Sequence, residues 1–357
     1  MWPDRRLLDL FGIEHPIIQA PMAGPNTPEL AIAVAEAGGL GSLATAMLNP
    51  EGVRNELGIF RQRTTKPVNL NFFCHIPPEP DPAREARWRE RLASYYSEFG
   101  IAPGTGGGPG RVPFDETFCA LVEELRPEVV SFHFGLPEPA LLERVKAAGA
   151  VTLSSATTVA EARWLADHGV DAIIAQGAEA GGHRGMFLTT DISSQPGTLA
   201  LVPQIVDAVS VPVIAAGGIA DARGIVAALA LGAAGVQIGT AYLLSEEAKT
   251  PAPHRAALRN AAAESTAMTN LFTGRPARGI VNRFIREVGP ISADAPAFPL
   301  ATGAVQPLRS AAEAAGSGEF SPLWSGQAAA LARESGAGEL TRDLAEQAQR
   351  LMRRLAG

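Results

Sequence analysis

Eight short apolar or β-branched runs recur along the first two thirds of the chain, with segments of helical periodicity between them. The runs are Ile17–Ala20, Leu40–Leu43, Val68–Phe72, Val129–Phe132, Val151–Leu153, Ala172–Ala175, Val213–Ala215 and Val236–Ile238. Runs this short and this apolar fit parallel strands buried on both faces. Between them, Glu29–Ala37, Ala140–Ala147, Val159–Asp167 and Ala222–Ala230 read as helices. Eight such units in series predict an α/β chain folded as a closed TIM (β/α)8 barrel and disfavour a doubly wound sheet. Local chemistry agrees. Thr157 or Thr158, and Asp221, stand where N-caps are needed, and Gly149, Gly169 and Gly232 stand where helices end.

The barrel is expected over residues 1–244, interrupted at 77–113 by an insertion that holds a charged helical piece, Pro82–Phe99, and a glycine-rich loop, Gly104–Gly110. Residues 245–327 are expected to build a smaller helical domain on the substrate side. Residues 328–357 then return as a helix packed on the barrel, with Leu340, Leu344, Leu351 and Leu355 at helical intervals. A composition of 46% hydrophobic and 19% charged residues suits a large core and excludes disorder. A net charge of -7 opposes binding to a phosphate backbone, so no nucleic-acid partner is expected. Cys74 and Cys119 form neither a metal motif nor a disulfide framework, and no apolar run approaches membrane-spanning length. A cytoplasmic monomer or homodimer that binds small molecules, with no membrane and no metal, is the expectation.

In such a barrel the chemistry gathers where the strands end, at their C-terminal side. Ala216-Gly217-Gly218-Ile219-Ala220-Asp221 and Gln237-Ile238-Gly239-Thr240-Ala241 end two successive strands with glycines and helix starts. Either alone is an ordinary turn. Together they read as a phosphate cradle built from backbone N–H groups. The sixth strand leads into Gln176-Gly177-Ala178-Glu179-Ala180-Gly181-Gly182-His183-Arg184-Gly185, where glycines bring one titratable side chain, His183, close to the mouth. An imidazole there can act as base, acid or cationic partner near neutral pH. Glu179 and Arg184 either orient it or form a surface pair. His133 is a second candidate at the mouth, or else a buried hydrogen-bonded histidine. Asn69 and Asn71 flank Leu70 and are expected on opposite sides of the strand, so that at most one faces a ligand. That amide suits a heterocycle edge or a strand cap equally well.

Taken in order, Gln19–Gly24, Asn69–Phe73, Ser131–Gly135, Gln176–Gly185, Ala215–Gly224, Gln237–Leu243, Thr273–Gly279 and Trp324–Gln327 resemble the motifs of the nitronate monooxygenase family, formerly 2-nitropropane dioxygenases, in its bacterial class I. The resemblance implies a flavoprotein with non-covalent FMN. Carried onto this chain, Met22 would lie by the flavin ring, and Asn71 and Gln176 would bind its polar edge. Gly181, Gly217, Gly218, Gln237, Ile238, Gly239 and Thr240 would hold ring, ribityl chain and phosphate. His183 matches the catalytic histidine, and His133 a substrate contact. The implied reaction oxidises an alkyl nitronate, such as propionate 3-nitronate, by O2 through a flavin semiquinone to a carbonyl compound with nitrite or nitrate. Where some members carry tyrosines and a lysine, Ala297-Phe298-Pro299-Leu300 has neither, so a Phe-lined pocket for small apolar nitronates is expected. Two other readings remain: an FMN-dependent NAD(P)H:quinone or enoyl-thioester reductase, and a non-catalytic flavin-binding barrel. The sequence also leaves open whether Arg275 and Arg278 reach the flavin phosphate or tie the extra domain to the barrel.

Overall fold

A computed structural model describes residues 2–102, 111–260 and 264–357; the Gly104–Gly110 loop lies outside the described residues. All eight apolar runs are strands of one sheet: β1 (Ile17–Gln19), β2 (Gly41–Ala44), β3 (Val68–Phe73), β4 (Val129–His133), β5 (Val151–Ala156), β6 (Ala172–Gln176), β8 (Val213–Ala216) and β9 (Gly235–Ile238). They run parallel in the order β1-β9-β8-β6-β5-β4-β3-β2. A bridge between Ile18 and Leu40 brings the two ends of that order together and closes the ring. The chain is therefore a TIM-type barrel. β7 (Gly182–His183) belongs elsewhere, in a small antiparallel sheet with β10 (Thr266–Thr269) and β11 (Ala277–Ile280).

The start and stop signals act as local chemistry requires. Thr158 accepts from Glu161 N, and Asp221 accepts from Arg223 N and Gly224 N, each supplying a first-turn amide with a partner. Gly149, Gly169 and Gly232 follow their helices at φ of +94°, +81° and +91°, in the left-handed region glycine adopts without strain. Gly41 has a different duty. A Cβ there would stand 2.2 Å from Ala31 O, so only glycine lets helix Pro28–Glu36 lie this close to β2.

Beyond β9 the chain forms helices Ala252–Leu258, Arg283–Val288 and Ala301–Ala314, together with the β10–β11 pair, which pattern alone does not reveal. The insertion helix Pro82–Glu98 joins this layer: Tyr96 Oη donates to Ala304 O, and Trp88 and Leu92 are buried beside Phe284 and Phe320. The last helix, Ala337–Leu355, lies across helices Pro28–Glu36 and Ala222–Ala230, which flank the β1–β9 pair. Leu340 and Leu344 are buried there, whereas Leu355 is 69% exposed because the helix runs past the barrel. The hydroxyls of Thr341 and Tyr242 meet at 2.8 Å, and both are fully buried. No helix among the described residues is long and apolar enough to cross a membrane.

Leu344→Ala removes a buried side chain from this contact and is expected to cost about 2–4 kcal/mol. The urea-unfolding midpoint measures it, with Leu355→Ala as a control that should leave the midpoint nearly unchanged.

Candidate functional site

At the C-terminal end of the ring lies a cavity of about 1520 Å³, covered by the segments beyond β9 and by the insertion. Met22, Asn71, His133, Gln176, Gly181, His183, Gly217, Gly218, Gln237, Gly239 and Thr240 all line it. Ile238 does not. Side chains alternate along a strand, so with Gln237 turned to the cavity Ile238 is packed in the core between barrel and helices. Its carbonyl instead accepts from Ala20 N.

The loop after β1 is shaped by a residue that composition does not mark. Asn26 Oδ1 accepts from Met22 N at 3.0 Å and Gln19 Nε2 at 3.1 Å, while its Nδ2 donates to Ser42 O at 2.7 Å. Across the mouth, Gly217 and Gly218 adopt φ of +115° and +70°, and a Cβ on Gly217 would come 2.9 Å from Ala180 N. Among the described residues, the backbone N–H groups of Gly217, Gly218, Gly239 and Thr240 donate no hydrogen bond. Four unpaired amides at adjacent strand ends form an anion cradle. Gln237 Oε1 is buried without a partner, and it too needs a ligand donor.

His183 sits on β7, paired to Ala277 of β11. Its carbonyl accepts from Gln176 Nε2 at 3.0 Å and from His133 Nε2 at 3.2 Å, and Gln176 Oε1 accepts from Gly185 N at 2.8 Å. The His183 backbone is thus clamped by two side chains from the barrel. A carbonyl only accepts, so His133 carries its proton on Nε2 and takes a hydrogen bond on Nδ1 from Ser155 Oγ at 3.1 Å. Both expected alternatives for His133 meet here: it lines the cavity and it is fully hydrogen-bonded. Gln176 keeps one N–H and one lone pair for a ligand. The His183 ring meets Thr273 Oγ1 through Nε2 at 2.9 Å and lies among Phe73, Phe298 and Trp324. Burial holds its pKa well below 6.5, with the charges of Arg111 and Arg275 adding to the effect, so the imidazole is neutral.

Other expectations need correction. Asn69 and Asn71 are two residues apart and so share one side of β3. Depth separates them: Asn71 lines the cavity and donates to Ser131 Oγ, while Asn69 lies nearer the strand start and donates to Ser42 Oγ. Glu179 and Arg184 neither orient His183 nor pair at the surface. Glu179 accepts from Thr198 N and Oγ1, capping helix Thr198–Ala208. Arg184 is fully buried, donates to Gln195 Oε1 and Gln176 O, and has its pKa lowered to about 9 by burial. Arg275 lies 3.9 Å over the Phe134 ring and bonds Met186 O, and Arg278 bonds Ala178 O and Thr266 Oγ1. Both tie the C-terminal segment to the loop after β6. The partnership of Thr273 with His183 spans 90 positions, and no local signal announces it.

A family model described as nitronate monooxygenase matches residues 4–347. A nitronate monooxygenase of Pseudomonas aeruginosa is 45% identical over 345 residues, covering 96% of this chain and 98% of that protein. A solved structure of nitroalkane oxidase from Streptomyces ansochromogenes superposes with a TM-score of 0.90 at 40% identity, over 98% of this chain and 99% of that one. FabK from Thermotoga maritima superposes with a TM-score of 0.73 at 27% identity, over 100% and 99% of the two chains.

Besides His183, burial lowers His133 to about 3, and His75 and His254 to about 4, from 6.5. Below pH 6.5 the unfolded chain therefore binds more protons than the native one. Stability is complete above that pH and falls as pH drops toward 4. Urea-unfolding midpoints at pH 7.5 and 5.0 are expected to show the decline, and His254→Gln to remove about one proton from it, about 1.4 kcal/mol per pH unit.

Proposed function

Because the chain belongs to the nitronate monooxygenase family, whose members oxidise nitronates, we propose that it turns alkyl nitronates such as propionate 3-nitronate into carbonyl compounds with O2 and bound FMN. The observation that carries this reading is one cavity that joins a cradle of unpaired amides to a buried neutral imidazole. FMN suits the groups present. Gly217, Gly218, Gly239 and Thr240 would hold its phosphate, Gln237 Oε1 would gain the donor it lacks, Asn71 and Gln176 would meet the polar ring edge, and Gly181 and Met22 would lie against the ring system. Bound there, FMN supplies an electron acceptor for the nitronate and a centre that O2 reoxidises.

The chain itself supplies placement and charge. In the overall reaction the carbon–nitrogen bond breaks and the carbon gains oxygen: half an O2 per nitronate gives the carbonyl plus nitrite, and a whole O2 gives nitrate. With Thr273 Oγ1 donating to Arg275 O, His183 Nε2–H donates to Thr273 and Nδ1 keeps the basic lone pair. Such a nitrogen can take the α-proton of a neutral nitroalkane. An anionic nitronate beside the ring reverses the local sign of charge and favours the imidazolium, which then holds the substrate's oxygens. Phe73, Phe298 and Trp324 keep water from the ring. His133 positions His183 through its carbonyl and faces the substrate side of the cavity.

Three experiments test this. Anaerobic mixing of the yellow protein with propionate 3-nitronate is expected to reduce the flavin, and air to restore it with nitrite or nitrate release; bleaching by NADH or NADPH alone would instead favour the reductase reading. His183→Asn is expected to retain flavin and to lose about 100-fold or more in kcat/KM with a neutral nitroalkane; full turnover of both nitroalkane and nitronate would sink the role given to His183. Gly217→Ala, with its strained φ and its contact at Ala180, is expected to purify with about tenfold less flavin per chain, read from the visible spectrum against protein content.

A further inference from the structure

The cavity carries a cation that no charged group among the described residues balances. Of the other cations that line it, Arg89 pairs with Glu85, Arg309 pairs with Glu313, and Lys249 is exposed to solvent. The third lining carboxylate, Asp115, caps helix Glu116–Leu125 by accepting from Phe118 N. Arg111 forms no ion pair among the described residues, and its Nη1 is buried without a hydrogen-bond partner. The eight residues before it, Pro103–Gly110, contain no acid. Burial, with Arg309 nearby, lowers its pKa to about 10, which still leaves it charged at neutral pH. A guanidinium withdrawn from water without a counter-charge is costly, and no group among the described residues offsets that cost.

Its position decides which anion it awaits. Phe114 N donates to Phe73 O at 2.7 Å, which fixes the segment after the insertion to the end of β3. In the ring order β3 stands four places from β8, on the far side of the mouth from the Gly217–Gly218 cradle. A phosphate in the cradle is therefore out of its reach. Arg111 belongs to the His183 side instead: the Phe298 ring centroid is 5.4 Å from Arg111 Cζ and 5.4 Å from the His183 ring centroid. A ligand with one charged end at His183 and a second at Arg111 would lay its carbon chain along Phe298.

We propose that Arg111 is a specificity-determining residue that binds a carboxylate on the tail of the nitronate whose reacting end lies at His183. This rests on the function proposed above and replaces the expectation of a pocket for small apolar nitronates. The planar fork of the guanidinium takes both oxygens of a carboxylate, and the aromatic wall suits a short methylene spacer. A carboxylate there supplies the absent counter-charge and satisfies Nη1 in one contact.

Steady-state kinetics of the flavin-loaded chain compare propionate 3-nitronate with propyl-1-nitronate, which has three carbons and no carboxylate. The wild type is expected to favour the first by about 30-fold or more in kcat/KM, chiefly through KM. Arg111→Gln is expected to abolish most of that ratio, and Arg111→Lys, which keeps the charge without the fork, to retain part of it. Succinate should inhibit the wild type competitively and Arg111→Gln at least tenfold more weakly. Equal kcat/KM for the two nitronates in the wild type, or a ratio unchanged in both variants, overturns the proposal while leaving the nitronate reading intact. Turnover of neither nitronate by the wild type overturns that reading and this one with it. Should Arg111→Gln fail to accumulate as yellow soluble protein, the wild-type ratio and the Arg111→Lys ratio decide.

Discussion

The ring closes through a backbone bridge that a buried side chain reinforces. Between β1 and β2 the backbone contributes one bridge, at Ile18 and Leu40, and Gln19 supplies the rest: its Oε1 accepts from Ser42 N at 2.9 Å, and its backbone oxygen accepts from Ser42 Oγ at 2.6 Å. Gln19 is wholly buried, so each of these bonds stands between a polar group and an unpaired state in the interior. A barrel that stayed open here would present two sheet edges and would let the loop after β1 drift from the mouth. Asn26 extends the same network to Met22. Closure of the fold and the shape of one wall of the site are thus a single set of hydrogen bonds.

The opposite wall follows similar logic with a different residue set. His183 is useful only if a two-residue strand outside the barrel holds its place, and β7 is far too short to do so alone. Gln176 and His133 grip its carbonyl from inside, and β11 pairs with it from outside. Arg275 and Arg278 then fasten that outer sheet to the loop. The imidazole is buried among aromatic rings and guanidinium groups, which leaves it neutral with no carboxylate among the described residues tuning it. Glu161 does comparable work one layer out, where its two oxygens accept from Thr157, Phe187 and Leu188 amides and pin the chain beyond Gly185.

What was legible in the sequence is what repeats locally. Apolar runs, caps and terminal glycines recur at every unit, so all eight strands could be read before any contact was known, and the glycine pair at β8 and β9 stood out because it occurs twice. Partnerships formed by closure were illegible. Thr273 reaches His183 from 90 positions away, and Arg111 reaches the cavity only because the insertion folds back on β3. Alternation, where it was not followed residue by residue, misled at Asn69, which shares its side of the strand with Asn71; Ile238, which the resemblance put among the cofactor contacts, has its side chain in the core. Arg184, which the sequence left as either a partner that orients His183 or half of a surface pair, is an interior strut.

The helix Ala337–Leu355 has a consequence for how the molecule is assembled. It rests on helices that belong to the first and seventh strand–helix units, across the junction where β1 meets β9. A chain emerging from the ribosome makes its N-terminal strand early and must keep one edge of it unpaired until β9 arrives, more than 200 residues later. Only once the helix Ala337–Leu355 has been made can Thr341 reach Tyr242 and the seam be covered. Covering of the seam is therefore tied to synthesis of residues 337–355, and a chain that holds all eight strands but not this helix leaves the β1–β9 junction exposed.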